Sequence, residues 1–314
     1  MVGPAAHAGL AVVAGFGAVA VDQLVYVDQP YAAGKGRIIG RHTSYGGNAG
    51  TALAVAAALG GQARFIGYLP DRAMWPEVYA DLAGYNIDVS SATAPPGTPP
   101  IRATILITPD DERFVAFDDD TLVGAPLDLD LELVTSAGVL LLDGYNPISG
   151  LRAVRAARAA GVPVVGDLER IDAEGLDELQ REIDHLVVPL AFAAAYTGTD
   201  SPDAAIGWLW NGHRSAVVVT DGRHGSWYKD GNAAAVKHIP AFPVEVVDTN
   251  GCGDVFHGAY AVSIAQGHPI DQALARASAA AAICATARGG RGRIPTEQDV
   301  RQLLASKPKS PIAI

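Results

Sequence analysis

The stretch Val246-Val247-Asp248-Thr249-Asn250-Gly251-Cys252-Gly253-Asp254-Val255-Phe256-His257-Gly258 carries the residue types and spacing best suited to group transfer. It reads as a strand, a glycine turn and the start of a helix. Gly251 and Gly253 leave backbone N–H groups exposed where the helix dipole is positive, which is what phosphoryl oxygens require. An acidic side chain beside an anion pocket looks contradictory. It makes sense if Asp254 accepts the proton of an alcohol while the neighbouring amides stabilise charge on a transferring phosphoryl group. Read in isolation, an aspartate at a helix start is more often an N-terminal cap or a dipole partner, worth about 0.5–2 kcal/mol.

Three other glycine turns compete for a role. Gly46-Gly47-Asn48 precedes an alanine-rich stretch, 49–59, ended by Gly60-Gly61, the pattern of a turn feeding a tightly packed helix. Thr220-Asp221-Gly222-Arg223-His224-Gly225 follows a strand over 216–219, and alone it also fits a hairpin turn. Gly15-Phe16-Gly17-Ala18-Val19-Ala20 imitates the dinucleotide fingerprint G-x-G-x-x-A. A true fingerprint opens a helix, whereas the β-branched residues of 21–27 predict a strand, so an oxidoreductase ranks last.

The elements that must position these turns follow from periodicity. A buried strand is expected over 10–14, a strand over 64–69 and a helix over 75–83. After the Pro-rich loop 94–100, strands over 102–107 and 113–117 flank a polar turn at 109–112. Alternation resumes with strands over 139–142, 163–165, 185–188 and 216–220, and helices over 150–160 and 175–183. A strand pair over 227–229 and 233–239 precedes helices over 253–266 and 270–287. Apolar strands alternating with helices call for a parallel sheet covered on both faces. With 314 residues, no repeat and no linker, one domain over 1–314 is expected.

Composition narrows the partners. Hydrophobic residues make up 49% and charged residues 18%, a globular balance. The net charge of −11 argues against binding nucleic acid or an anionic membrane, which needs a basic field. Two cysteines, Cys252 and Cys284, form neither a disulfide framework nor a metal cluster, which fits a cytoplasmic protein. The apolar stretch 8–21 lacks a basic flank and is short for a membrane span, so it is read as a strand and its turn.

The segment from Asp248 to Gly258 resembles the C-terminal signature of the ribokinase-like (PfkB) carbohydrate kinases, D-T-x-G-A-G-D-x-F-x-G, with Cys252 in place of alanine. The thiol could make activity sensitive to oxidation. The resemblance implies a three-layer α/β sandwich with a mostly parallel central sheet and a small β-sheet lid. It implies that Asp254 is the base, that the amides of Gly251, Cys252 and Gly253 form the anion hole, and that Asp248 and Thr249 lie near a monovalent cation such as K+. Gly46-Gly47-Asn48 resembles the family's sugar-gripping turn, with Thr51 where Asn is frequent. Thr220, Gly222 and Gly225 match its ATP loop, with Asp221 pointing away from the triphosphate, and the adenine side falls on 280–290, including Cys284. Residues 189–193, Pro-Leu-Ala-Phe-Ala, stand where the family carries N-x-x-E. Mg2+ must then be held by the nucleotide, water and other carboxylates.

By the same resemblance, 17–42 and 102–118 form the lid, which pairs into homodimers, and Asp22 binds two sugar hydroxyls. The lid also holds Lys35, Arg37, Arg41, His42, Arg102 and Arg113. Arg37, Arg41 and Arg102 are therefore expected to recognise an acceptor carrying phosphate or sulfonate, the alternative being cations that blunt exposed strand edges. Asp167-Leu168-Glu169-Arg170 and the start of the 253–266 helix resemble the ketohexokinase and sulfofructose kinase branch. The implied function is ATP-dependent phosphorylation of a sugar hydroxyl, with a ketose such as sulfofructose as acceptor. The alternative is a catalytically weak nucleotide- and sugar-sensing protein, for which the missing N-x-x-E is the clue.

Overall fold

The computed structural model describes residues 11–109, 113–231, 233 and 235–306. Leu10 of the first expected strand, residues 110–112 of the polar turn, Ala234 of the second strand pair and the Arg113 side chain lie outside the described residues. The chain opens with β1 (Val12–Phe16), β2 (Ala20–Val27) and β3 (Ile38–Gly46), then α1 (Asn48–Ala58), β4 (Gln62–Phe65) and α2 (Pro76–Gly84). β5 (Ile101–Ile107) and β6 (Arg113–Asp118) form the expected hairpin. Alternation follows: α3 (Glu132–Thr135), β7 (Val139–Asp143), α4 (Pro147–Ala159), β8 (Val164–Asp167), α5 (Leu176–Glu182), β9 (His185–Pro189), α6 (Leu190–Thr197), α7 (Pro202–Leu209) and β10 (Ala216–Thr220). β11 (Ser226–Asp230), β12 (Lys237–Ile239), α8 (Cys252–Ala265), α9 (Ile270–Cys284) and α10 (Glu297–Ala305) complete it.

The central sheet runs β12-β11-β10-β9-β8-β7-β1-β4, parallel except where β11 pairs with β10 and β12. Its strands bury both faces. In β7, Val139 and Leu141 join the core beneath α1, α8 and α9, while Leu140 and Leu142 join the core beneath α4 to α7. Successive side chains of a strand point to opposite faces, so a strand sandwiched between helix layers reads as an unbroken apolar run. The expected three layers result. The first expected strand segment of β4 is shorter than the apolar pattern, because Ile66 and Leu69 are buried in the connection beyond it. Four helices carry no prior expectation: α3, α6, α7, capped by Ser201, and α10, which opens with a Thr296/Asp299 capping box.

α1 and α8 cross closely because both are built from small residues. A Cβ on Gly258 would stand 2.1 Å from the carbonyl oxygen of Ala52. This contact brings the N-termini of both helices, and hence Asn48 and Asp254, to the same edge of the sheet.

The second sheet runs β3-β2-β5-β6, with β2 and β5 parallel and both outer pairs antiparallel. β3 extends to Gly46, past the expected limit at residue 42. Asp22 lies opposite Ser44 and Ala103, whereas Val21 lies opposite Arg102 and Val25 opposite Arg41. Among the described residues no helix is long and apolar enough to cross a membrane.

Candidate active site

Parallel α/β sheets bind ligands beyond the C-terminal ends of their strands, and the candidate residues gather there. Gly251 caps α8 with φ 72°, a left-handed backbone, and a Cβ on it would stand 2.4 Å from the Gly290 carbonyl oxygen. Only glycine fits that turn. Asp248 fastens it from behind, its Oδ1 accepting from the Asn250 amide and its Oδ2 from the Gly289 amide, both at 2.8 Å. Gly253 differs: nothing lies within 4 Å of where its Cβ would be. Its open side faces the room a phosphoryl group would need, with the unpaired amides of a first helical turn behind it. The Cys252 amide is a weaker contributor than expected, because it donates to the Thr249 carbonyl at 3.3 Å.

Asp254 is half-buried in this first turn, and its carboxyl is held well above the usual carboxylate range. Burial is the main cause, repulsion from Asp167 and Glu169 adds to it, and His257 and Arg291 oppose it. A carboxylate made more basic in this way is better matched to taking a proton near neutral pH. His257 ties the turn down. Its Nδ1 lies 2.8 Å from the Gly253 carbonyl and its Nε2 3.0 Å from the Val187 carbonyl in β9.

The other wall is the turn between β3 and α1. Gly47 caps α1 with φ 86°, its missing Cβ leaving room for the Ala18 carbonyl 2.4 Å away. The Asp22 carboxylate lies over Gly46, with Oδ2 3.3 Å from where a Cβ would be, and burial pushes its pKa up against the opposing charge of Arg291. Asn48 joins the two walls by donating to Asp167 Oδ2 at 3.2 Å. The structure therefore brings together Asp22, Gly46, Gly47, Asn48, Gly251, Gly253 and Asp254.

Other expectations need correction. In β2, β3 and β5 the register puts Arg41 and Arg102 on the face opposite Asp22, and Arg102 pairs with Asp118 at 2.5 Å. Arg37 is exposed before β3 begins. Arg41 and Arg102 thus do not share the sheet face that carries Asp22. Cys284 is fully buried beneath the turn, its thiol facing the Asn250 and Gly290 carbonyls at 3.9 Å, and it packs rather than lining an open wall. The hydrogen bond between the two thiols and burial push the Cys252 thiol up, while the same bond holds the Cys284 thiol below its ordinary value. Thr220 ends β10 and Gly222 has open space around it, but Gly225 is needed for packing, since its Cβ would meet the Ile239 carbonyl at 2.1 Å. Asp221 turns onto His224 Nδ1 at 2.8 Å. Gly17 makes room for Asp143, whose Oδ2 accepts the Ala18 amide at 2.6 Å. The fingerprint-like glycines thus open a strand, not a helix.

Three site residues had no assigned role in the sequence. Asp167 and Glu169 approach Asp254, and the signal for them was an acidic residue ending a buried parallel strand. Arg291 reaches the Gly46 carbonyl and Thr51 Oγ1, both at 3.1 Å, and pairs with Asp81. An arginine within Gly289-Gly290-Arg291-Gly292 gave no signal before folding placed it behind the Gly46 turn.

A profile of the pfkB family carbohydrate kinases matches residues 12–297. Ribokinase of Bacillus subtilis (strain 168) is 40% identical over 89 residues, which span 28% of this chain and 30% of that protein's length. Fructokinase-2 of Zea mays is 30% identical over 289 residues, covering 83% of this chain and 84% of the maize protein. The solved structure of Arabidopsis thaliana ribokinase, complexed with ribose and ATP, superposes with a TM-score of 0.82 at 24% identity, covering 94% of this chain and 98% of that one. That likeness shows the fold.

Proposed function

The chain belongs to the pfkB family of carbohydrate kinases, and from that premise we propose that it transfers the γ-phosphoryl group of ATP to a hydroxyl of a sugar or sugar-like acceptor. The observation that carries this reading is the placement of Asp254 in an amide-lined helix start, across from the Asp22 and Gly46-Gly47-Asn48 wall and linked to it through Asn48 and Asp167. The hydroxyl proton passes to Asp254. The acceptor oxygen bonds to the γ-phosphorus as the bond to the β,γ-bridging oxygen breaks, and ADP leaves. The first-turn amides of α8, backed by the helix dipole, stabilise charge on the phosphoryl oxygens. Mg2+ bound with the nucleotide supplies further neutralisation of phosphate charge. Thr220 and Gly222 line the nucleotide side. A K+ ion near Asp248 and Thr249 would act on the turn that Asp248 fastens rather than on the acceptor.

A ketose-like, uncharged acceptor is our reading of the sugar side. Asp22 can accept hydrogen bonds from two hydroxyls, the maize relative is a fructokinase, and Arg41 and Arg102 face away. We read the four-stranded sheet as a lid and as a homodimer surface. Its two edge strands expose Ile38 and Ile39 in β3 and Phe114, Val115 and Phe117 in β6, apolar side chains that a partner could cover. A cytoplasmic location fits the two free cysteines.

The apolar residues 189–193 favour a second reading, a sensor that binds nucleotide and sugar without turnover. ADP formation with a panel of neutral and anionic sugars separates the two. The kinase predicts sugar-dependent ADP release that falls about a hundredfold or more in Asp254→Asn while nucleotide binding survives. Binding with no ADP from any sugar leaves the sensor.

A further inference from the structure

A cavity lies at the other end of the central sheet, where the chain enters β9 and β10 rather than where it leaves them. It is an open hollow of about 510 Å3 lined by Arg158, Arg181, Glu182, Trp208 and Arg214, together with the turn that follows α7. That volume is ordinary for a small-ligand site. No residue of the cavity belongs to the two walls around Asp254, which stand beyond the opposite ends of the parallel strands.

The charges lining the cavity do not balance. Arg158 pairs with Glu182 and lies 3.5 Å from Asp184, but among the described residues neither Arg181 nor Arg214 has a carboxylate within 4 Å. Arg214 is 4% exposed, and its three guanidinium nitrogens donate to neutral oxygens: Nε to the Leu209 carbonyl at 2.9 Å, Nη1 to the Ile183 carbonyl at 2.8 Å and Nη2 to Gln180 Oε1. Asp184 attracts it from farther off, yet that carboxylate is already shared between Arg158 and the Val164 amide. A cation taken out of water without a paired anion is costly, and burial pulls the Arg214 pKa down to about 10. Its retention at the wall of an open cavity points to an anion from outside the polypeptide. The surrounding backbone is fixed in advance. Asn211 donates to the Arg181 carbonyl at 3.1 Å and accepts from the His213 and Arg214 amides at 3.1 and 3.2 Å, which fastens the turn carrying Arg214 to the end of α5.

Trp208, near the end of α7, brings an aromatic ring to the same cavity while remaining 57% exposed. Tyr196 braces it, the two rings standing at 86° with centroids 5.4 Å apart. Guanidinium groups match the oxygens of a phosphate, and an indole offers a flat apolar surface to another ring. We propose that this cavity binds a phosphorylated ligand bearing a planar ring, of the nucleoside monophosphate class, with its phosphate on Arg181 and Arg214 and its ring on Trp208.

The test is tryptophan emission of the full chain titrated with AMP, with adenosine and inorganic phosphate as separate arms. A saturable change is expected with AMP, and it should be lost in Trp208→Phe. Arg181→Gln, an exposed change whose fold is checked by circular dichroism, should weaken AMP binding at least about tenfold, as the loss of a charge-assisted contact requires. Adenosine, which lacks the phosphate, should bind at least about tenfold more weakly than AMP, and inorganic phosphate should displace AMP. The site is overturned by the absence of a saturable change, by equal affinity in wild type and Arg181→Gln, or by equal affinity for adenosine and AMP. A change that survives intact in Trp208→Phe also overturns it, because AMP is then held elsewhere, as at the nucleotide side of the active site. Neither ATP nor sugar is present, so the kinase reading is judged separately by sugar-dependent ADP formation.

Discussion

Gly251 and Gly253 stand two residues apart and play opposite parts. Gly251 has a backbone and a contact that exclude any side chain, so Gly251→Ala should lose about 1–3 kcal/mol from its left-handed φ alone, with the Gly290 clash added. Gly253 has neither constraint. Gly253→Ala should raise stability by about 0.5–1 kcal/mol, since alanine favours a helix, while ADP formation falls at least about tenfold because the methyl occupies the phosphoryl side. Urea unfolding and a coupled ADP assay read the two effects. An active Gly253→Ala enzyme would mean that the transferred group lies elsewhere. The signature glycines were legible in the sequence as a set, but which one serves the turn and which serves the ligand depends on Gly290, a residue far along the chain.

Elements rather than single residues set the spacing between the two walls. α1 carries Asn48 and α8 carries Asp254, and their separation is fixed where Gly258 meets Ala52. Gly258→Ala forces these backbones apart, and overpacking of that kind costs about 1–3 kcal/mol. The kcat should fall with stability, because the first turn of α8 moves relative to Asn48 and Asp167; unchanged kcat in a destabilised variant would separate the crossing from the site. The sheet register makes a contrasting prediction. Arg102 lies on the face away from Asp22 and pairs with Asp118, so Arg102→Ala should leave the acceptor KM within about twofold, since an exposed ion pair is worth at most about 1 kcal/mol. A tenfold rise in KM for anionic sugars alone would restore the anionic acceptor. Alternation along 102–107 was readable as a strand, yet the arginine's face was not, because a period of two defines two faces without saying which one meets the ligand.

At the scale of the molecule, the layered packing buries ionisable groups beyond the site, and these govern its response to pH. His185 begins β9, with Nδ1 2.9 Å from the Tyr260 hydroxyl, and burial pushes its pKa down to about 4. The unfolded chain binds this proton near pH 6.5 and the folded chain does not, so His185 withdraws stability as pH falls from 6.5 towards 4, by about 3 kcal/mol in all. Asp143 acts with the opposite sign, because burial raises its pKa to about 7 and its contribution is present in acid and lost as pH rises through that value. The readout is therefore the difference between unfolding curves of wild type and His185→Phe from pH 7 to 4. A difference that does not change with pH contradicts a buried neutral His185. The sequence by itself determined the layered class, through apolar strand runs alternating with helices, and it located the glycine turn and helix start at Gly251 to Asp254, because both are local properties of spacing and residue type. Only the tertiary structure decided that Asn48 meets Asp167 across 119 residues of chain, that Glu169 and Asp254 share one space, and that Arg41 and Arg102 turn away. Strand order, register and helix crossing are consequences of packing two apolar faces at once, and no stretch of sequence contains them until its partner is in place.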